Sequence, residues 1–253
     1  MTTWPLAIVL AVIAAIYASV GHAGATGYIA VMSLWGLPPE FIRPTALMLN
    51  VVVAAIGTVQ FVRAGHFDWK LFASLAVASV PAAALGGWLA LPTFAFEAAL
   101  GMMLGYSSFR LVRDTFAEPD SALDDEPVVW EPTRPWRRHA AFAGLGAIVG
   151  FLSGLTGVGG GVFLTPVLLA AGVARLRTVA AVSAAFILVN SLAGLLGGAM
   201  AGRAIPTPGM ELVGAVAVGG AIGSSLGAFA IPLRGLRLLM AVVLGIASLK
   251  LLF

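Results

Sequence analysis

Apolar residues run through this chain in long blocks, and the blocks fall into two similar series. The first series covers residues 5–20, 29–37, 45–62, 71–91 and 94–112, and the second covers 140–152, 162–173, 179–200, 210–231 and 236–253. About 20 apolar residues in helical form cross a ~30 Å hydrocarbon layer, so the last three blocks of each series predict full spans. The second block of each series is too short to cross comfortably. None of the blocks shows the alternation of a barrel strand, so helices are predicted throughout. In each series the first two blocks are separated by a glycine-rich break, GHAGATGY at residues 21–28 and GLTGVGGG at residues 154–161.

The recurrence extends beyond the breaks and predicts a duplicated unit. Gly21, Gly24 and Gly27 pair with Gly154, Gly157 and Gly160; Gly57, Gly65 and Gly86 pair with Gly194, Gly202 and Gly223; Pro92, Gly105 and Ser108 pair with Pro232, Gly245 and Ser248. The offset drifts along the chain, as small loop differences between the halves would make it do. Between the halves lies a stretch rich in proline and charge without a sustained helical pattern, which reads as a solvated connector. The predicted organisation is a first transmembrane repeat at 1–113, a charged linker at 114–138 and a second transmembrane repeat at 139–253.

Composition agrees with burial in lipid, since 60% of residues are apolar and only 10% are charged. The net charge of +3 is too small to suggest nucleic acid as a partner. Without cysteine there is no disulfide or thiolate metal site. His22, His66 and His139 fall on different predicted levels, and no Ser/His or paired Asp motif is present, so neither enzyme chemistry nor a cofactor or metal is expected. The first block lacks a basic region before it and matches internal sequence, which predicts a mature first helix and not a cleaved signal.

Lys and Arg favour cytoplasmic loops and test how the broken segments lie. If each break is the tip of a hairpin, Arg63, Lys70, Arg110, Arg113, Arg134, Arg137, Arg138, Arg175, Arg177, Arg234 and Arg237 share one side. Only Arg43, Arg203 and Lys250 then lie opposite. A single crossing by each broken segment weakens that split. The hairpin reading puts both termini outside and the linker in the cytoplasm. It also inverts the second half relative to the first, a plan that secondary transporters use with broken helices near the midplane. The expected fold is an all-α polytopic membrane protein of two inverted repeats, each a glycine-broken helical hairpin plus three transmembrane helices.

The segment GLTGVGGGVFLTPVLLAAGV at residues 154–173, set in this half, linker, half layout, resembles the TauE/SafE family of sulfite exporters. The most specific element is the second break, a glycine cluster followed by Pro166 and an apolar helix. The resemblance covers nearly the whole chain outside the linker. It implies a secondary transporter of the cell (inner) membrane that exports sulfite or a small organosulfonate. The first half departs from the family pattern, carrying Ala25, Thr26 and Tyr28 where a second glycine cluster is usual.

The breaks themselves carry the candidate chemistry. Non-helical backbone at membrane depth must face protein or a watery cavity, and glycine supplies unusual φ values and close ligand approach. Helices that start near Thr26 and Gly160 would aim free N–H groups and a positive dipole end at the tips, a natural anion site. The expected ligands are Gly24, Thr26 and Gly27 with Thr156, Gly157, Gly159, Gly160 and Gly161. His22 either donates to the anion or carries a coupling proton, or it is a neutral histidine bonded to a carbonyl. Asn50 and Asn190, inside spans, either line the cavity or join helices by hydrogen bonds. Thr45, Thr178 and Ser183 are expected to bond their own helix backbones. Arg43 either attracts anion at the outer mouth or is an interfacial anchor. Glycines spaced by four, such as Gly219, Gly223 and Gly227, predict close helix packing. The leading reading is alternating access between two facing tips, with a small anion and the lipid bilayer as partners and homo-oligomerisation left open. The alternative is a passive anion or small-solute channel with two re-entrant hairpins, although no Asn-Pro-Ala tip occurs.

Overall fold

A computed structural model describes residues 4–89, 135–205 and 207–252, with positions 102, 105, 106, 108, 109, 112, 113, 115 and 116 between them. The described residues are helical and contain no strand. The first half gives α1 (Trp4–Ser19), α2 (Ala25–Leu34), α3 (Pro39–Arg63) and α4 (Trp69–Trp88). The second half gives α5 (Pro135–Thr156), α6 (Gly161–Ala170), α7 (Leu176–Met200), α8 (Met210–Ser225) with a π turn at Leu226–Ala230, and α9 (Leu233–Leu252). Most of the span expected at 94–112, and most of the linker, lie outside the described residues. Helix α5 starts inside the stretch read as linker, because Pro135 can occupy a first helical turn where no N–H is needed.

Among the described residues five helices are long and apolar enough to cross a membrane, namely α3, α4, α5, α7 and α8 with its π turn. Helices α2 and α6 have 10 residues each, about 15 Å at the helical rise, or half of a hydrocarbon layer. Apolar side chains such as Ile8, Val12, Val77, Leu85, Ile148, Leu196, Val218 and Ile222 are exposed on the outer faces of the bundle. Such a rim suits lipid, and the chain is a multi-pass membrane protein.

Left-handed glycines fall at matching places in the two halves of the chain. Gly21, Gly24, Gly36 and Gly65 have positive φ, and so do Gly157, Gly160, Gly172 and Gly202, at matching places after α1, before α2, after α2 and after α3. The register at the breaks therefore differs from the one expected. Gly21 matches Gly157 and not Gly154, because glycines recur every three residues in both breaks and spacing alone cannot choose between them. Gly154 lies within α5 and Gly27 within α2. Helices α3 and α7 match at 25 residues each.

Packing interlocks the halves. Gly146, Gly150 and Gly154 of α5 press on the carbonyls of Leu75, Ser79 and Ala83 of α4. Gly219, Gly223 and Gly227 press in the same way on the carbonyls of Ala11, Ala15 and Ser19 of α1. These are the close approaches that small residues permit between membrane helices. Gly105 faces Ser248 while Gly245 faces Ser108, a reciprocal pair of the kind a two-fold relation produces. The broken helix of each half thus packs on the fourth helix of the other half, and α3 crosses α7 between them.

Candidate functional site

The first break begins where Gly21, at φ 77°, closes α1. The His22 N–H donates to the Tyr17 carbonyl and the Gly21 N–H to the Ala18 carbonyl, the bond pair that a left-handed glycine allows at a helix end. Gly24, at φ 99°, then opens α2. The first-turn N–H groups of a helix have no carbonyl a turn earlier, so the amides of Ala25 and Thr26 point from the tip. The Thr26 hydroxyl is engaged, donating to the Tyr17 hydroxyl at 3.0 Å. The buried Tyr28 hydroxyl has no partner and lies against Gly24.

The second break is barer. Gly157 closes α5 with a single bond from its N–H to the Ser153 carbonyl. Gly159 and Gly160 both have φ 84°, and Gly160 caps the start of α6 without any side-chain bond. A row of amides through Gly161 and Val162 therefore reaches the site without intrahelical partners.

The two breaks meet. A methyl group placed on Gly161 would lie 3.3 Å from Cδ2 of His22. His22 Nε2 lies 3.2 Å from the Thr165 hydroxyl, which lies 2.9 Å from Ser183 Oγ. A methyl on Gly159 would sit 2.7 Å from Asn50 Nδ2 and 3.1 Å from Ser191 Oγ, and one on Gly160 would sit 3.3 Å from Ser153 Oγ. Asn50 Nδ2 donates to the Val158 carbonyl at 3.3 Å, tying α3 to the second tip. Around these three consecutive glycines His22 Nδ1, Asn50 Oδ1, Ser153 Oγ and Ser191 Oγ are buried without a hydrogen-bond partner. A buried polar atom left so costs about 1–3 kcal/mol. Four of them around one bare backbone turn are more than helix packing requires.

Of the residues expected to bind, His22, Asn50, Gly159, Gly160 and Gly161 come together here. Gly157 borders the adjoining cavity, while Gly24 and Thr26 belong to the first tip. Gly27 packs toward Ile13 of α1. Thr156 donates to the Leu152 carbonyl of its own helix. Asn190 accepts from Ser79 Oγ at 2.5 Å and donates to the Phe186 carbonyl, so it joins α7 to α4. Sequence alone does not mark Ser153, Thr165 or Ser191 as site residues, and it marks Tyr28 only as a departure from the family pattern. Their signal was a hydroxyl inside an apolar segment, and for Ser191 the adjacent asparagine.

A cavity of about 660 Å³ opens beside the second tip. Gly154, Gly157 and Gly194 border it, with Leu47, Leu155 and Leu195 among its apolar lining and Glu40, Arg43 and Arg203 among its charged lining. The start of α3 and the end of α7 share this cavity. The opposite ends of these helices also share a level, since Arg177 near the start of α7 donates to Ile231 and His66 after α3 contacts Ala228. Among the described residues no group of histidine and acidic side chains could hold a metal ion.

Known proteins resemble the chain along nearly its whole length. The family model described as "Sulfite exporter TauE/SafE" matches residues 6–251. A relative from Sinorhizobium fredii (strain NBRC 101917 / NGR234), described as "Probable membrane transporter protein y4hK", is 44% identical over 201 residues, covering 79% of this chain and 78% of that protein. No solved structure matches the chain.

Proposed function

The chain belongs to the TauE/SafE sulfite exporter family and is a membrane transporter, not an enzyme; from that premise we propose that it exports sulfite or a small organosulfonate, held between the two glycine breaks, by alternating access. The observation that carries this reading is the set of orphaned polar atoms around Gly159, Gly160 and Gly161. Free amides of α6 and the Ser153 and Ser191 hydroxyls donate to oxyanion oxygens. His22 adds a donor when Thr165 occupies Nε2 and the proton sits on Nδ1. Asn50 Oδ1 accepts, which suits the O–H of a singly protonated oxyanion.

Alternation rests on two equivalent contacts. Gly21 faces Ala180 and Gly157 faces Arg43, and Ala180 and Arg43 are each the fifth residue of their 25-residue helices. A methyl on Gly21 would meet the Ala180 carbonyl oxygen at 2.2 Å, whereas one on Gly157 would find Arg43 Cβ at 3.3 Å. The first contact is shut and the second is looser, beside a cavity. Exchanging the two states moves access from one face to the other, as inverted repeats allow. With the termini outside and the linker in the cytoplasm, the cavity faces outward. Export of an anion is then aided by the inside-negative potential, ~2.3 kcal/mol per charge per 100 mV.

Flux in vesicles containing the full chain tests the reading. Radiolabelled sulfite should exchange in a saturable way and be driven by unlabelled sulfite on the opposite side. Unsaturated flux at channel rates would reject a carrier. Gly160→Ala, which puts a Cβ 3.1 Å from Ser153 at a left-handed residue, should lower sulfite affinity more than tenfold while the variant still folds; wild-type affinity in a folded variant would reject the tip site.

A further inference from the structure

The cavity beside the second tip contains a cation pair that the tip chemistry does not use. Arg43 sits in the second turn of α3 and Arg203 directly follows Gly202, the left-handed residue that ends α7. The Arg203 N–H donates to the Gly198 carbonyl, and its Nε lies 3.5 Å from where a methyl on Gly198 would be. The guanidinium is thus held near the last turn of α7, at the cavity wall. Among the described residues neither guanidinium makes an ion pair or hydrogen bond, although Glu40, three residues before Arg43, lines the same cavity.

Helix electrostatics explains one of these arginines and not the other. A cation after the end of α7 is favoured by the negative end of the helix dipole. Arg43 lies toward the positive end of α3, where the dipole opposes a cation. Its equivalent in the other half is the uncharged Ala180, so the fold does not need an arginine there. Arg43 Cβ also lies next to Gly157, the foot of the second tip. Low-dielectric walls focus the field of such charges into a cleft, and a guanidinium fork matches two oxygens of a sulfite or sulfonate group.

We propose that Arg43 and Arg203 form a separate anion station at the cavity mouth, where a sulfonate-class oxyanion rests between bulk water and the glycine tips. The station rests on the transport reading of the tips but is a different site with a different signature. The tips hold the anion in a dehydrated place through neutral donors. The station holds it through two exposed cations, so its contribution is screened by salt.

Equilibrium binding of radiolabelled sulfite to the purified full chain, at low and high ionic strength, tests it. The double variant Arg43→Gln, Arg203→Gln should bind about tenfold more weakly than wild type at low salt, the size expected for losing two partly exposed charge-assisted contacts. It should also lose most of the salt dependence. The Arg43→Lys, Arg203→Lys variant keeps the charges, so it should keep the salt dependence and most of the affinity, which separates charge from folding. Wild-type affinity and salt slope in the glutamine variant would overturn the station; if Gly160→Ala still lowers affinity more than tenfold, the tip reading survives. The converse, weakened binding in the glutamine variant with none lost in Gly160→Ala, would overturn the tips and keep the station. Absence of saturable sulfite binding by the wild type would overturn both.

Discussion

Gly21 and Gly157 end equivalent helices at the same φ of 77°, yet one is wedged on the Ala180 backbone and the other stands beside a cavity next to Arg43. The residues that follow differ as well. After Gly21 the His22 N–H is spent on a helix-ending bond, and the first tip offers the His22 imidazole to its neighbour. After Gly157 the chain places two further left-handed glycines and offers backbone alone. On the proposed reading the two breaks do unequal work: the second would supply the amide cradle, and the first a side chain and the closed contact. The proposed alternating access requires such inequality, because the two halves must then occupy different states at the same moment.

The largest expected effect comes from filling the two equivalent glycines. Gly21→Ala drives a Cβ to 2.2 Å from a carbonyl oxygen and adds the left-handed penalty of about 1–2 kcal/mol, so backbone must move. Gly157→Ala meets nothing nearer than Arg43 Cβ at 3.3 Å, with the Arg43 carbonyl oxygen at 3.6 Å, so it should cost little more than the left-handed penalty of about 1–2 kcal/mol. Thermal melts of the two purified variants should show a much larger loss of Tm for Gly21→Ala. Equal losses would break the claim that one contact is shut and its counterpart is not.

The two asparagines give the next effect, and they divide affinity from stability. Asn50→Leu removes the bond to Val158 and an acceptor at the site; sulfite affinity should fall about tenfold or more, since hydrogen bonds to charged groups are worth about 1.5–3 kcal/mol. Asn190→Leu leaves Ser79 without its interhelical partner, so Tm should drop while affinity stays near wild type, the orphaned hydroxyl costing about 1–3 kcal/mol. Binding isotherms and melts on the same preparations check both. Loss of affinity in Asn190→Leu would move that residue into the site.

The helical, multi-pass plan was legible because lipid forces it into composition. A span must be apolar along its length, so its position is written in the sequence whatever it packs against. The second break was legible for the related reason that four glycines within five positions, 157 to 161, cannot serve a buried helix. What the sequence could not supply was which glycines are left-handed, and the register slipped by one triplet as a result. It could not show the partners of hydroxyls either. Thr26 and Thr156 look like ligands beside Ser153 and Ser191, and only the fold separates those with internal acceptors from those without. Arg43 reads from the sequence either as an anion-attracting residue at the outer mouth or as an interfacial anchor, and only the fold brings Arg203 to the same cavity. That pairing joins residues far apart in sequence.

The smallest predicted effect is the most direct test of unequal work. Thr26 lies in the first tip at the place of Val162 in the second, and its hydroxyl donates to Tyr17 within the same half. Thr26→Val removes that donor and keeps the backbone amide and the side-chain shape. If the first tip uses only His22 and amides, sulfite affinity should change by no more than about twofold, and stability should fall by about 1 kcal/mol, the usual net worth of a neutral hydrogen bond. A tenfold loss of affinity without loss of Tm would mean that the hydroxyl leaves Tyr17 to bind the anion. The first break would then be a second cradle in its own right, and the division of labour drawn between the two halves would fail at the residue where it is sharpest.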